Sequence, residues 1–213
     1  MKPITLLFCL LLVPALACST TSIAESLVPS GGVLYQDYFG SDDSGWGKVE
    51  TKAGTAGYID GAYHVVINQP NVNIWSHPGK QLSTVRVEVS VMSASGPNAN
   101  RMGLVCRLKD DDNFYFFVVS ADGYFGIGKV KAGQARLLNG AEMEQNNAIL
   151  TGNQINRVRA DCIGNVLSLY VNNLPVATVK DDEFTNGDVG ILAGSFSQPG
   201  SDVYFDNFID YKP

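Results

Sequence analysis

Carboxylates and histidines are the residues of this chain that could carry bond-breaking chemistry, and their spacing argues against most of it. A pair of acids cleaves a glycosidic bond when strands hold them about 5 Å apart, or wider with room for a water. Glu88 instead stands alone between Arg86 and Ser90, and Glu142 and Glu144 fall in a polar break where no strand fixes them. His64 and His77 are joined by neither a metal-binding HExxH spacing nor a serine nucleophile elbow. They read as a strand residue and a turn residue. Asp110, Asp111 and Asp112 are consecutive acids in a turn, where like charges point at water; a calcium role there lacks the ligand pattern of an EF-hand loop.

The elements that would position such groups are strands. Arg101 to Val130 holds three apolar runs separated by two turn clusters, a three-stranded antiparallel meander. In its first run Leu104, Cys106 and Leu108 share one face, and Val105, Arg107 and Lys109 the other. Phe114 to Ser120 is aromatic and β-branched on both faces, so a central strand covered on both sides is expected. Tyr124 to Val130 carries Gly126 and Gly128 on one face, where glycine marks a bulge, a bend or the close approach of another group. Leu82 to Met92 alternates most cleanly, with Val85, Val87, Val89 and Val91 in and Thr84, Arg86, Glu88 and Ser90 out.

Further strands are expected at Val33 to Phe39, Tyr63 to Ile67, Asn71 to Trp75 (an edge), Ala135 to Leu138, Asn156 to Cys162, Val166 to Val171, Leu174 to Lys180, Val189 to Phe196 and Val203 to Tyr211. Asn139 to Asn153 is the one long break and the one place for a short helix. About a dozen strands at regular spacing with tight turns describe an all-β, two-sheet antiparallel sandwich or jelly roll. Trp46 and Phe208 are assigned to its core.

The 213 residues, 45% hydrophobic with 22 glycines, suffice for one domain with a full core. Lys2 followed by the apolar run Ile4 to Val13 has the size of a secretory signal rather than a membrane span. Ala15, Leu16, Ala17 and Cys18 then allow two readings. One is a lipoprotein processing site, with Cys18 lipidated and the polar stretch Ser19 to Gly32 as tether; the other is a plain secretory cleavage, here or after Ala24. The expected organisation is signal at 1–17, lipidated Cys18 and tether at 18–32, and one domain at 33–213. The chain is thus expected to be exported, to the cell surface as a lipoprotein or secreted, touching membrane only through a lipid anchor.

A net charge of -6, with no basic cluster, excludes nucleic acid as a partner. Cys106 and Cys162 are the two cysteines of the folded part, both with inward parity, and are expected on neighbouring strands with their sulfurs close enough to bond. In an oxidising compartment they should form a disulfide worth about 4 kcal/mol in the chain-entropy account; two buried thiols are the alternative.

The combination CRLKDDDNFYFFV, GYFGIGKV, LSLYVNN and terminal VYFDNF resembles the concanavalin A-like lectin and glucanase jelly roll. More narrowly it resembles the 3-keto-disaccharide hydrolase domain family, whose members are often surface lipoproteins. The resemblance spans about Leu34 to Tyr211 and implies sugar binding or sugar cleavage. Glucanases of this fold alternate their acids along one strand as E-x-D-x-E, a pattern this chain lacks. The resemblance also implies a structural calcium joining the terminal strands, through Asp37 of YQDYF and Asp206 of YFDNF.

Sugars need flat aromatic faces beside hydrogen-bonding side chains. Trp75, Tyr115 and Tyr124 are the candidate platforms; Arg86, Glu88, Arg107, Arg157 and Arg159 are the polar residues with outward parity. The competing account has Tyr115 covered, Trp75 packed at an edge and the arginines forming a salt-bridge ladder. The expected function is a noncatalytic module binding glycan or cell-wall carbohydrate. A glycoside hydrolase of the resembled family and a structural or protein-interaction domain are the alternatives.

Overall fold

A computed structural model describes residues 27–213, and every regular element in it is a strand. The signal sequence, Cys18 and most of the tether expected from the sequence lie outside the described residues. Sixteen strands follow in order: β1 (Val33–Asp37), β2 (Val49–Glu50), β3 (Gly54–Ile59), β4 (Ala62–Ile67), β5 (Asn73–Ser76), β6 (Val85–Ser95), β7 (Asn100–Asp110) and β8 (Asn113–Val119), then β9 (Tyr124–Lys131), β10 (Gln134–Leu137), β11 (Glu144–Gln145), β12 (Asn156–Ile163), β13 (Val166–Val171), β14 (Leu174–Lys180), β15 (Asp188–Ser195) and β16 (Ser201–Tyr211).

They form two antiparallel sheets, the jelly-roll sandwich expected from the spacing. Sheet A runs β14-β13-β12-β6-β16-β4-β3-β2 with β1 beside β16, and sheet B runs β10-β9-β8-β7-β15-β5 with β11 beside β9. The two terminal strands pair, Asp37 opposite Phe208. The break at 139–153 holds no helix; its Glu144 and Gln145 instead pair with Phe125 and Tyr124, laying this segment against β9.

Period-2 alternation sends one side of each sheet into a shared core. Val85, Val87, Val89 and Val91 are at most 2% exposed and meet Leu104, Phe117 and Ile127 from the other sheet. Each such side chain contributes about 1.5–3 kcal/mol by leaving water. Trp46 and Phe208 pack edge to face in that core at 4.8 Å, as assigned.

β7 departs from simple alternation. Arg107 takes a left-handed φ of 52° and the register with β8 shifts between Cys106 and Asp110, a bulge that reverses parity. Leu104 and Cys106 point into the sandwich as expected, but Leu108 joins Val105 on the outside. Gly187 makes room for the bulge: a Cβ there would lie 2.5 Å from the Arg107 carbonyl carbon.

Cys106 and Cys162 are bonded, with Cα atoms 6.9 Å apart. They are not on adjacent strands. β7 belongs to sheet B and β12 to sheet A, so the bridge staples the two sheets through the core.

Candidate functional site

The outer face of sheet B is apolar where an outer face is ordinarily wet. Val105, Leu108, Phe114, Val118 and Leu192 form a second buried cluster there, with Trp75, Phe116, Val130 and Met143 packed on it. Register explains the grouping: Trp75 lies opposite Leu192, Val105 opposite Phe116, and Phe114 opposite Val130. Gly128 is where the Phe116 ring settles, since a Cβ would stand 2.2 Å from its Cζ. That is the close approach the bare strand glycines announced.

Above this cluster opens a cleft of about 410 Å³, floored by Trp75, Phe114, Phe116, Val118 and Leu192. Met143 and Leu137 wall one side and Phe196 closes one end. Asn73, Arg101, Asp111, Asp112 and Arg136 supply its polar rim. Trp75 donates its Nε1 hydrogen to Asp111 Oδ1 at 3.1 Å and packs on Phe114 at 5.3 Å between centroids, so the indole is held from two sides. A shallower recess of about 230 Å³ shares Met143 and Phe196 with the cleft and adds Tyr124, Asp122 and Glu142.

Beyond Trp75 on the same side, His77 Nδ1 meets Asp188 Oδ2 at 2.7 Å. Asp188 is buried and also accepts the backbone N–H groups of Gly79, Lys80 and Val189. The hydrogen bond to Asp188 raises the His77 pKa above its ordinary value, more than burial lowers it, with Asp111 adding to the rise.

The expected site residues divide between the two outer faces. Trp75 and Tyr124 belong to the cleft and its side recess. Arg86, Glu88, Arg157 and Arg159 do converge, as their outward parity required, but on sheet A, across the sandwich from the cleft. There they pair with acids. Arg86 Nη2 lies 3.1 Å from Asp161, Arg159 Nε lies 3.2 Å from the same carboxylate, and Arg157 Nη2 lies 2.5 Å from Glu88. The Arg159 guanidinium also covers the Tyr170 ring at 3.7 Å. This is the salt-bridge ladder weighed against a binding role.

Two expected residues prove to be interior. Tyr115 is fully buried, donating to Asp181 at 2.6 Å and accepting from the Phe184 N–H at 3.0 Å. Arg107 is 2% exposed. The bulge turns it inward, where it donates to the carbonyls of Phe184, Cys162 and Gly164 at 2.7–3.2 Å; it has no surface to offer a ligand.

The proposed calcium pair also separates. Although β1 and β16 are neighbours, Asp37 turns inward and accepts the Phe39 N–H at 2.7 Å. Asp206 pairs with outward Ser90 and accepts the Asn207 N–H, so the two carboxylates occupy opposite faces of one sheet. Among the described residues no group of three or more His, Cys, Asp or Glu side chains could hold a metal.

Sequence reading missed Arg101, Asn73, Phe196 and the Phe114–Phe116 floor. Arg101 shares outward parity with Gly103 and Val105, a signal that a polar group borders a bare strand face. Asn73 and Phe196 reach the cleft only through the pairing of β5 with β15, which no local pattern encodes.

No family model and no curated protein matches the sequence. Solved structures do resemble the fold. The carbohydrate-binding module CBM66 from Bacillus subtilis superposes with a TM-score of 0.65 at 17% identity, covering 79% of this chain and 96% of its own. A Bacillus subtilis protein of unknown function with a galectin-like fold gives 0.65 at 13% identity, covering 86% and 97%. A Bacteroides ovatus family GH16 protein of a mixed-linkage glucan locus, in complex with a G4G4G3G product, gives 0.60 at 11% identity, covering 84% and 100%. At these identities the likeness is one of architecture, and the chain has the two-sheet, galectin-like and concanavalin A-like jelly-roll fold.

Proposed function

We propose that this chain is an exported, noncatalytic module that binds glycan in the outer-face cleft of sheet B. The carrying observation is the cleft itself: an aromatic floor of Trp75 and Phe116, backed by the buried Phe114, with hydrogen-bonding groups only at its rim, the division of labour that pyranose rings require. The jelly-roll fold, shared with a carbohydrate-binding module, supports the reading. Tyr124 extends the surface through the side recess. The lipidated Cys18, the surface location and the absence of a nucleic-acid partner belong to the same proposal and rest on the sequence.

Affinity electrophoresis of the full chain in gels containing mixed-linkage glucan, xylan or cell-wall polysaccharide tests it. Retardation that Trp75→Ala abolishes, with melting temperature maintained, supports the cleft. Unchanged retardation in that variant removes it.

One observation favours cleavage by a hydrolase of the resembled 3-keto-disaccharide hydrolase family: Asp111 and Asp112 both border the cleft. They sit at the β7–β8 turn, however, and no strand of the cleft floor contributes an acid. Reducing-end release that Asp111→Asn eliminates would establish the enzyme in place of the binder.

A further inference from the structure

Arg101 differs from the other arginines in what its charge faces. Arg86, Arg136, Arg157 and Arg159 each lie within 4 Å of a carboxylate, and Arg107 is sealed among three carbonyls. Arg101 lines the cleft and pairs with no acid among the described residues. Its Nη1 donates to Asn73 Oδ1 at 2.5 Å and its Nη2 to the Ser195 carbonyl at 2.9 Å, while the guanidinium lies over the Phe196 ring at 4.1 Å. A guanidinium carries five N–H donors; two are spent on the protein. Holding a half-buried cation without a counter-charge is costly, and burial pulls its pKa below the arginine range.

The bonds it does make fix the fork's plane. Asn73 comes from β5, Ser195 from the end of β15 and Phe196 from the residue after it, so three separate points orient a group that no protein anion uses. The cleft's acids, Asp111 and Asp112, lie beyond the opposite end of β7. Arg136 also lines the cleft, but its charge is shared with Asp181 at 3.8 Å; the cation without an acid stands at the Phe196 end, with the aromatic floor beside it and Asp111 and Asp112 at the turn.

We propose that the cleft binds acidic glycans, with Arg101 receiving the carboxylate of a uronic acid residue while the partly exposed rings of Trp75 and Phe116 carry the neighbouring ring. A carboxylate matches the planar fork and supplies the missing counter-charge. This deepens the glycan-binding reading and rests on it.

The test compares polygalacturonate and glucuronoxylan with the same polymers after carboxyl reduction, which leaves the chains neutral, using the full chain and its Arg101→Gln, Arg101→Lys and Trp75→Ala variants. The wild type should bind at least one acidic polymer about tenfold or more tighter than its reduced form, and this preference should shrink with added salt. Arg101→Gln should bring the ratio to about one, Arg101→Lys should restore part of it, and Trp75→Ala should weaken both forms. Melting curves of the variants separate loss of fold from loss of ligand. Equal binding of acidic and reduced polymers by the wild type, or a preference that survives Arg101→Gln, overturns the uronate assignment and leaves the cleft as a neutral-glycan site. Failure to bind either form overturns the uronate assignment, and retardation by neutral polysaccharides such as mixed-linkage glucan then decides separately whether the glycan reading stands.

Discussion

Arg107, on sheet B, donates a hydrogen bond of 2.7 Å to the carbonyl of Gly164 at the β12–β13 turn of sheet A. The same guanidinium reaches Cys162 and Phe184, so one side chain stitches two sheets and the 181–187 segment together. The disulfide beside it covalently joins the same two strands.

Arg107→Ala should therefore lower stability by about 2–4 kcal/mol, since it orphans buried carbonyls and opens a cavity. Arg107→Lys should recover little, having no planar fork for three acceptors. Chemical denaturation checks both, and glycan retention by the folded fraction should be unchanged. A melting temperature equal to wild type would mean that water satisfies the three carbonyls.

Replacing Cys106 and Cys162 with alanine should cost about 4 kcal/mol by the chain-entropy account, since the bridge closes a separation of 56 residues. Reduction of the native chain should lower its melting temperature in the same direction. Thermal scans with and without reductant give the comparison, and identical midpoints would show that the bridge constrains little.

Most strand positions, the inward valines and the inward cysteines were legible because each follows from period-2 parity, a local property; β2, β3 and β11 were not, since Gly54 and Gly57 break the apolar pattern of β3 and the other two are two residues long. The fate of Arg107 was not legible: its parity reverses at a bulge that depends on Gly187, eighty residues away in sequence. Asp37 and Asp206 failed for a related reason. Pairing of the terminal strands was foreseeable, whereas the irregularity between Asp206 and Ile209, with Asn207 at φ 54°, decides which face each residue takes. The cleft was half legible. Trp75 and Tyr124 stood out as aromatics beside turns, but Arg101 and Phe196 meet Asn73 only through long-range pairing of β5 with β15.

His77 and Asp188 should give stability a pH dependence near neutrality. The folded His77 pKa lies above its ordinary value through the hydrogen bond to Asp188, so its contribution is fully present below the unfolded pKa of about 6.5 and is lost as pH rises through the folded one. His77→Gln should flatten the fall in melting temperature between about pH 6 and pH 8. A wild-type profile already flat there would show that the imidazole adds nothing.

Asp181 gathers Lys129 and the Tyr115 hydroxyl at 2.6–2.9 Å beneath the 181–187 segment. Burial alone would raise its pKa; the hydrogen bonds from Lys129 and Tyr115 outweigh burial and hold it below the carboxylate range. Its stabilisation is thus present above the unfolded pKa of about 3.9 and lost as pH falls through the lower folded value. Asp181→Ala, which leaves the buried Lys129 charge with only the longer 3.5 Å contact to Glu183, should cost about 3 kcal/mol, while Asp181→Leu with Lys129→Met should cost much less. Urea titrations of the single and double variants decide it. Additive losses would mean that the two charges act independently.

The two outer faces should answer differently to substitution. Arg157 is half exposed over Glu88, whose side chain is 8% exposed, and strand pairing aligns both with the Arg86–Asp161 pair. Arg157 keeps contact with water, but its removal leaves the buried Glu88 carboxylate without its ion-pair partner, so the cost should be about 1–3 kcal/mol rather than that of an exposed pair. Removing Arg159 instead leaves Asp161 with Arg86, so what is lost there is chiefly the guanidinium packed on Tyr170. Neither substitution touches the cleft across the sandwich, so Arg157→Ala and Arg159→Ala should retain polysaccharide as tightly as wild type, while Trp75→Ala does not. Retention lost in Arg157→Ala with an unchanged melting curve would move the glycan surface to sheet A and leave the aromatic cleft without that role.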